Sequence, residues 1–99
     1  MTIERHVYIK LNPDDATDKG RTEVVERTRS LATIPGVRNV EVGVPADPSS
    51  LAAWDVCIRL QFDSLDAVEP YREHSVHRSY VDDFLKPRLA VLKAWNFEI

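Results

Sequence analysis

Cysteine is almost missing from this 99-residue chain. The single Cys57 cannot close a disulfide within the chain, a usage that suits a reducing compartment and points to the cytoplasm. No apolar run approaches the length that spans a bilayer, and Met1 to Lys10 carries Glu4, Arg5 and Lys10 in place of the apolar centre of a signal peptide. A basic stripe is lacking as well. The net charge is −3, which argues against nucleic acid and against an anionic membrane as partners. There is no internal repeat, no low-complexity tract, and no stretch so poor in apolar residues that it reads as disordered. With 43% hydrophobic and 29% charged residues the chain reads as one globular domain over residues 1–99, with a core small enough to gain from association.

Periodicity supplies the elements. Val7, Ile9 and Leu11 alternate with His6, Tyr8 and Lys10 as in a half-buried strand. Val24, Val25, Thr28, Leu31 and Ala32 recur at helical spacing, although Gly20 and nearby threonines weaken the start of that helix, and Ile34-Pro35-Gly36 ends it. Val40, Val42 and Val44 mark a second strand, and Pro45 to Ser50 reads as a loop. In the third strand Trp54, Val56, Ile58, Leu60 and Phe62 share one face, with Asp55, Cys57, Arg59 and Gln61 on the other. Ser64 opens a short helix expected to bend or end at Pro70, a second helix runs from about Val76 to Lys86, and a last strand covers Val91 to Glu98.

The order β-α-β-β-α-β predicts an α+β, ferredoxin-like fold, a four-stranded antiparallel sheet with helices on one face. The other face carries His6, Tyr8, Lys10, Cys57, Arg59 and Gln61. Pairing it with the same face of a second copy would make a homodimer, and leaving it solvated would make a monomer; the pattern alone accommodates both.

A longer pattern narrows the choice. Phe62-Asp63-Ser64-Leu65, then Tyr71-Arg72-Glu73-His74-Ser75-Val76-His77, resembles the signature of the stress-responsive dimeric A/B barrel (Dabb) family, in which a strand ending Phe-x-Ser leads to a Tyr-x-x-His-Pro-x-His turn. The opening Arg5-His6-Val7-Tyr8-Ile9-Lys10-Leu11, the Ile34-Pro35-Gly36-Val37 turn and the closing Asn96-Phe97-Glu98-Ile99 are similar too. The chain departs from the family at Ser75, usually proline, and at Pro70. The resemblance implies a dimeric α/β barrel of two back-to-back sheets. Most members have no assigned reaction, and a plant member is a polyketide cyclase that needs no metal. In that branch a first-strand histidine lines the cavity. Here the spacing leaves open whether His6 or Arg5 stands in its place, because a one-residue slip moves a strand side chain to the opposite face.

His77 is the leading candidate for chemistry. It sits near the start of the last helix with Val81 and Phe84 on its stripe, and an imidazole exchanges protons near neutral pH. Tyr71 matches its partner in the cyclase, where the phenol polarises a carbonyl and the histidine acts as base. An inward histidine can also simply pack. His74, with Glu73, Asp82 and Asp83, has residue types that bind metals, yet these side chains are not spaced to converge, and neither metal nor cofactor is expected. Tyr8, Arg59 and His6 are expected at a pocket or interface. Arg59 would need Glu41 or Asp55 as a partner, and Cys57 has no histidine placed to activate it. Three functions follow as expectations: a cofactor-independent cyclase-like enzyme with a small-molecule pocket, a non-catalytic dimeric binding module, or, by fold analogy alone, a haem- or quinol-handling monooxygenase.

Overall fold

Strict alternation makes the first strand the centre of the molecule. In the computed structural model, which describes residues 1–99, β1 (Ile3–Leu11) buries Ile3, Val7, Ile9 and Leu11 on one face. β2 (Asn39–Gly43), β3 (Val56–Phe62) and β4 (Leu89–Glu98) join it in an antiparallel sheet of order β2-β3-β1-β4. The register places Val7 opposite Ile58 and Ala94, and His6 opposite Arg59 and Trp95, so the two faces differ in character throughout. The helices that follow β1 and β3 pack on the aliphatic face, and a short helix between β2 and β3, over Pro48–Ala53, sits at the edge of the other. The fold is α+β and ferredoxin-like, as the element order predicts.

The features that weaken the first helix on paper are those that start it. α1 (Asp18–Thr28) is capped by Thr17, whose hydroxyl accepts the N–H of Gly20. The preceding turn presses on Gly20 so closely that a β-carbon there would lie 1.9 Å from the carbonyl oxygen of Asp15. A 3-10 turn over Arg29–Thr33 carries Leu31 into the core, and Gly36 takes a φ of 91° in the turn that follows.

Three expectations need correction. Pro45 to Ser50 is not all loop: Asp47 accepts the N–H of Ser50 and Pro48 occupies the first position of α2 (Pro48–Ala53), a cap-and-proline start. β2 stops at Gly43, leaving Val44 outside it and exposed. Trp54 and Asp55 precede β3 and take the faces opposite to those the alternation assigns. Trp54 stacks on Tyr8 of the open face at 5.6 Å. Asp55 turns toward α1, where it is almost fully buried, accepts the N–H of Leu11 at 2.8 Å and pairs with Arg21 at 3.1 Å. A carboxylate enters the core there because its oxygens find both partners.

The second helical region also differs from its expected outline. Pro70 does not break it. A 3-10 turn (Leu65–Ala67) leads into α3 (Val68–Glu73), and Pro70 falls in the first turn, where the N–H it lacks would have no partner. The break comes at His74, whose backbone is extended, with φ −61° and ψ 141°. Beyond it, α4 (Ser75–Ser79) widens into a π-helical stretch, Tyr80–Leu85, and tightens into a 3-10 turn over Lys86–Arg88, in place of one regular helix from Val76 to Lys86. Tyr80, Phe84 and Leu85 reach the core from that stretch. The Thr28 hydroxyl donates to the carbonyl of Val24, so the Tyr80 hydroxyl donates to Thr28, tying α1 to the π-helical stretch. No helix is long and apolar enough to cross a membrane.

Candidate functional site

The corner at His74 decides what the helical layer can present to the sheet. His74 caps α4, its Nδ1 accepting the N–H of Val76 at 3.1 Å. That makes Ser75 the first helical residue, a position where the family's proline and a serine are both tolerated. The turn folds α4 back on α3 and brings Tyr71 and His77 together, with ring centroids 4.6 Å apart. Tyr71 rests edge-on against Phe62 on its other side. Both rings line a cavity of about 160 Å³ between the sheet and the helices, walled by Val7, Ile58, Leu60, Val81 and Ala94.

The first strand contributes Arg5 to that cavity, and His6 lies on the opposite face. Arg5 donates to the side-chain oxygen of Asn96 at 3.0 Å. The sequence left open which of the two faces the cavity, and the register settles it through the pairing of Arg5 with Leu60 and Asn96.

The protonation of the pair follows from its bonds. His77 Nδ1 lies 2.9 Å from the carbonyl of Arg72. A carbonyl only accepts, so Nδ1 carries the hydrogen and, in the neutral ring, Nε2 holds the free lone pair. Burial lowers the pKa of His77, and Arg5, Arg72 and Arg78 lower it further, against the raising effect of the Arg72 carbonyl. The imidazole is therefore neutral at pH 7. Burial pushes the Tyr71 phenol well above its ordinary value, with Arg5 opposing, so it remains a proton-bearing donor. No side-chain polar atom sealed from solvent lacks a hydrogen-bond partner. The Tyr71 hydroxyl and His77 Nε2, which have none in the chain, are thus accessible, and both side chains line the cavity. A neutral base beside a neutral acid is an arrangement able to move a proton on a bound carbonyl compound.

The remaining candidates lie elsewhere. His6, Tyr8, Cys57 and Arg59 occupy the open face of the sheet. Glu4 accepts from His6 at 2.7 Å and from Gln61 at 3.0 Å, bonds that lower its pKa. Arg59 pairs with Glu41, and Asp55 is on the other side. Burial raises the pKa of the Cys57 thiol, with Arg59 opposing, which disfavours the nucleophilic thiolate. A larger concavity of about 500 Å³ lies on this face between α2 and the sheet, lined by Tyr8, Val44, Pro45, Trp54 and Cys57. No group of three or more His, Cys, Asp and Glu side chains converges as a metal site would require. His74, with Nδ1 committed to its cap, is a structural residue at the corner. Sequence reasoning missed α2, for which Asp47-Pro48 was the signal; Arg5, left open against His6, follows the Val7, Ile9 and Leu11 alternation onto the inward face.

Comparison with known proteins gives a consistent picture. A family model described as Stress responsive A/B Barrel Domain matches residues 3–98. No curated protein matches the chain. Among solved structures, a dimeric protein of unknown function and ferredoxin-like fold from Bacteroides fragilis is similar at 22% identity, over 99% of this chain and 96% of that one, with a TM-score of 0.78. A Dabb family protein with a ferredoxin-like fold from Mesorhizobium loti is similar at 18% identity, over 99% and 96%, with a TM-score of 0.80. A hydroxynitrile lyase from Passiflora edulis is similar at 13% identity, over 99% and 93%, also at 0.80. At these identities the likeness is one of fold.

Proposed function

The chain belongs to the stress responsive A/B barrel domain family, and from that premise we propose that it acts as a homodimer that binds a small carbonyl compound beside Tyr71 and His77 and moves a proton on it. The observation that carries the reading is the pair itself: two rings 4.6 Å apart, opening on one cavity, with Nδ1 of His77 fixed by the Arg72 carbonyl. In this reaction Nε2 of His77 takes a proton from the carbon next to a carbonyl. The electrons of that C–H bond move onto the carbonyl oxygen, which accepts a hydrogen bond from Tyr71, and the imidazolium returns the proton to product. The cyclase branch that the sequence resembles uses the same pair, and lyase activity in the Passiflora structure is compatible with such chemistry on this fold.

The homodimer is supported by the open face. Tyr8 links Trp54 and Trp95 in an aromatic strip, at centroid distances of 5.6 and 6.1 Å, and Phe97 packs on His6 at 4.9 Å. Trp95 and Phe97 are about half exposed in the single chain. An apolar strip of this kind is a natural association surface, and the Bacteroides neighbour is described as dimeric. The lone free Cys57 suits a cytoplasmic setting.

The cavity volume favours a second reading as well. Ligand pockets commonly measure ~300–1,000 Å³, and about 160 Å³ accommodates only a small ligand, which a binding module without turnover would also hold. The same volume is too small for a haem. A thermal-shift screen of short 1,3-dicarbonyls, phenolic acids and quinones against wild type and His77→Ala tests the reading. Stabilisation by a dicarbonyl of the wild type alone is the expected result. Equal shifts in both proteins, or none in either, would remove His77 from the site.

A further inference from the structure

The cavity holds a charge that the chain does not answer. Arg5 lines it from the central strand, and its only side-chain bond goes to a neutral amide, that of Asn96. None of the ion pairs in the chain includes it. Burial lowers its pKa, as it does for a cation held away from water without a partner, yet a guanidinium stays charged near neutral pH. Glu69 is within electrostatic reach of Arg5 but hydrogen-bonds to Arg72 at 3.3 Å. No acidic side chain lines the cavity, whereas a second arginine, Arg72, does. The field inside is positive, and three arginines reach His77 with it.

A half-buried guanidinium has five N–H donors in a fixed fork that matches a carboxylate. Here one arm is taken by Asn96. The phenol of Tyr71 adds a neutral donor nearby, and His77 Nε2 offers a lone pair. Nine of the twelve lining residues are apolar or aromatic, so the site suits an anion with a carbon body better than a bare inorganic ion. The volume corresponds to roughly five water molecules at about 30 Å³ each, which limits that body to a few carbons.

We propose that the cavity selects short-chain oxo-carboxylates, with the carboxylate on Arg5, the oxo group on the Tyr71 hydroxyl and the carbon between them at Nε2 of His77. This rests on the reading of Tyr71 and His77 as the ligand site and names the substrate class. It makes Arg5 a specificity residue.

The test compares 3-oxobutanoate with its methyl ester, which keeps both carbonyls and loses the charge. The imidazole proton signal of His77 is followed by NMR at pH 7.5, in a chain with only three histidines. The acid should shift that signal saturably and bind about tenfold tighter than the ester, the size of one charge-assisted hydrogen bond. Arg5→Gln should bring the two compounds within about twofold, and Arg5→Lys should keep most of the preference. The wild-type comparison needs no variant to fold. If the ester binds as well as the acid, the anion inference is wrong and the pocket reading stands. If neither compound moves the His77 signal, both are wrong.

Discussion

At His77 the chemistry is set by which nitrogen is occupied. The Arg72 carbonyl takes the hydrogen of Nδ1, and burial with three nearby arginines disfavours a second proton. Arg72 and Arg78 lie near His77 in sequence, but the arginine that matters most to the cavity, Arg5, comes from a strand 72 positions earlier. Asp55 shows the same dependence on distant partners. Its carboxylate bonds the N–H of Leu11 and the guanidinium of Arg21, and Lys10 stands 4.0 Å away. Removing it leaves the buried N–H of Leu11 without its acceptor and takes from Arg21 the buried one of its two carboxylate partners, Asp18 being the other. Asp55→Ala should therefore lower the unfolding free energy by about 2–3 kcal/mol, read from the urea midpoint. An unchanged midpoint would show that water replaces the carboxylate at no loss.

Helices and strands differed in how much of them could be read in advance. β1, and β3 from Val56 onward, announce themselves because one face is almost wholly apolar and the other mixed, a contrast that a two-residue period exposes directly. The faces of Trp54 and Asp55 were misassigned because alternation holds only inside the ladder, whose last β1–β3 pair is Ile9 with Val56. The helix break, expected around Pro70 to Ser75, falls at His74 and not at the proline itself, which is disruptive only where its N–H is needed. Nothing in the spacing of Val76, Val81 and Phe84 signals the π-helical stretch, from which Tyr80 docks on Thr28. That docking can be measured. Tyr80→Phe removes a buried hydroxyl donor and should cost about 1 kcal/mol, with little change in the secondary-structure signal. A loss of helical signal would mean that the bond holds the π-helical stretch in shape and does more than join it to α1.

On the scale of the whole molecule, the two faces of the sheet have separate tasks. One buries the core and the cavity, and the other carries Tyr8, Trp54, Trp95 and Phe97 as an aromatic strip, with Trp95 and Phe97 about half exposed. If that strip is the dimer contact, Trp95→Glu places a charge in it and should convert the protein from twice the chain mass to the monomer in analytical ultracentrifugation, while the cavity on the far face keeps its lining. A variant that sediments like wild type would place the contact elsewhere. The central claim concerns the cavity, and deuterium uptake tests it most directly. Short 1,3-dicarbonyls are incubated in deuterium oxide with wild type, His77→Ala and Tyr71→Phe, and exchange at the carbon between the carbonyls is followed by NMR. Wild type should accelerate exchange about a hundredfold or more over buffer, with the gain lost in His77→Ala and reduced in Tyr71→Phe. Because the folded pKa of His77 is depressed, the gain should persist through the ordinary imidazole range near pH 6.5 and fall only at lower pH, as Nε2 is protonated. Exchange no faster than in buffer, or undiminished in His77→Ala, would contradict the assignment of this pair as a proton-transfer site.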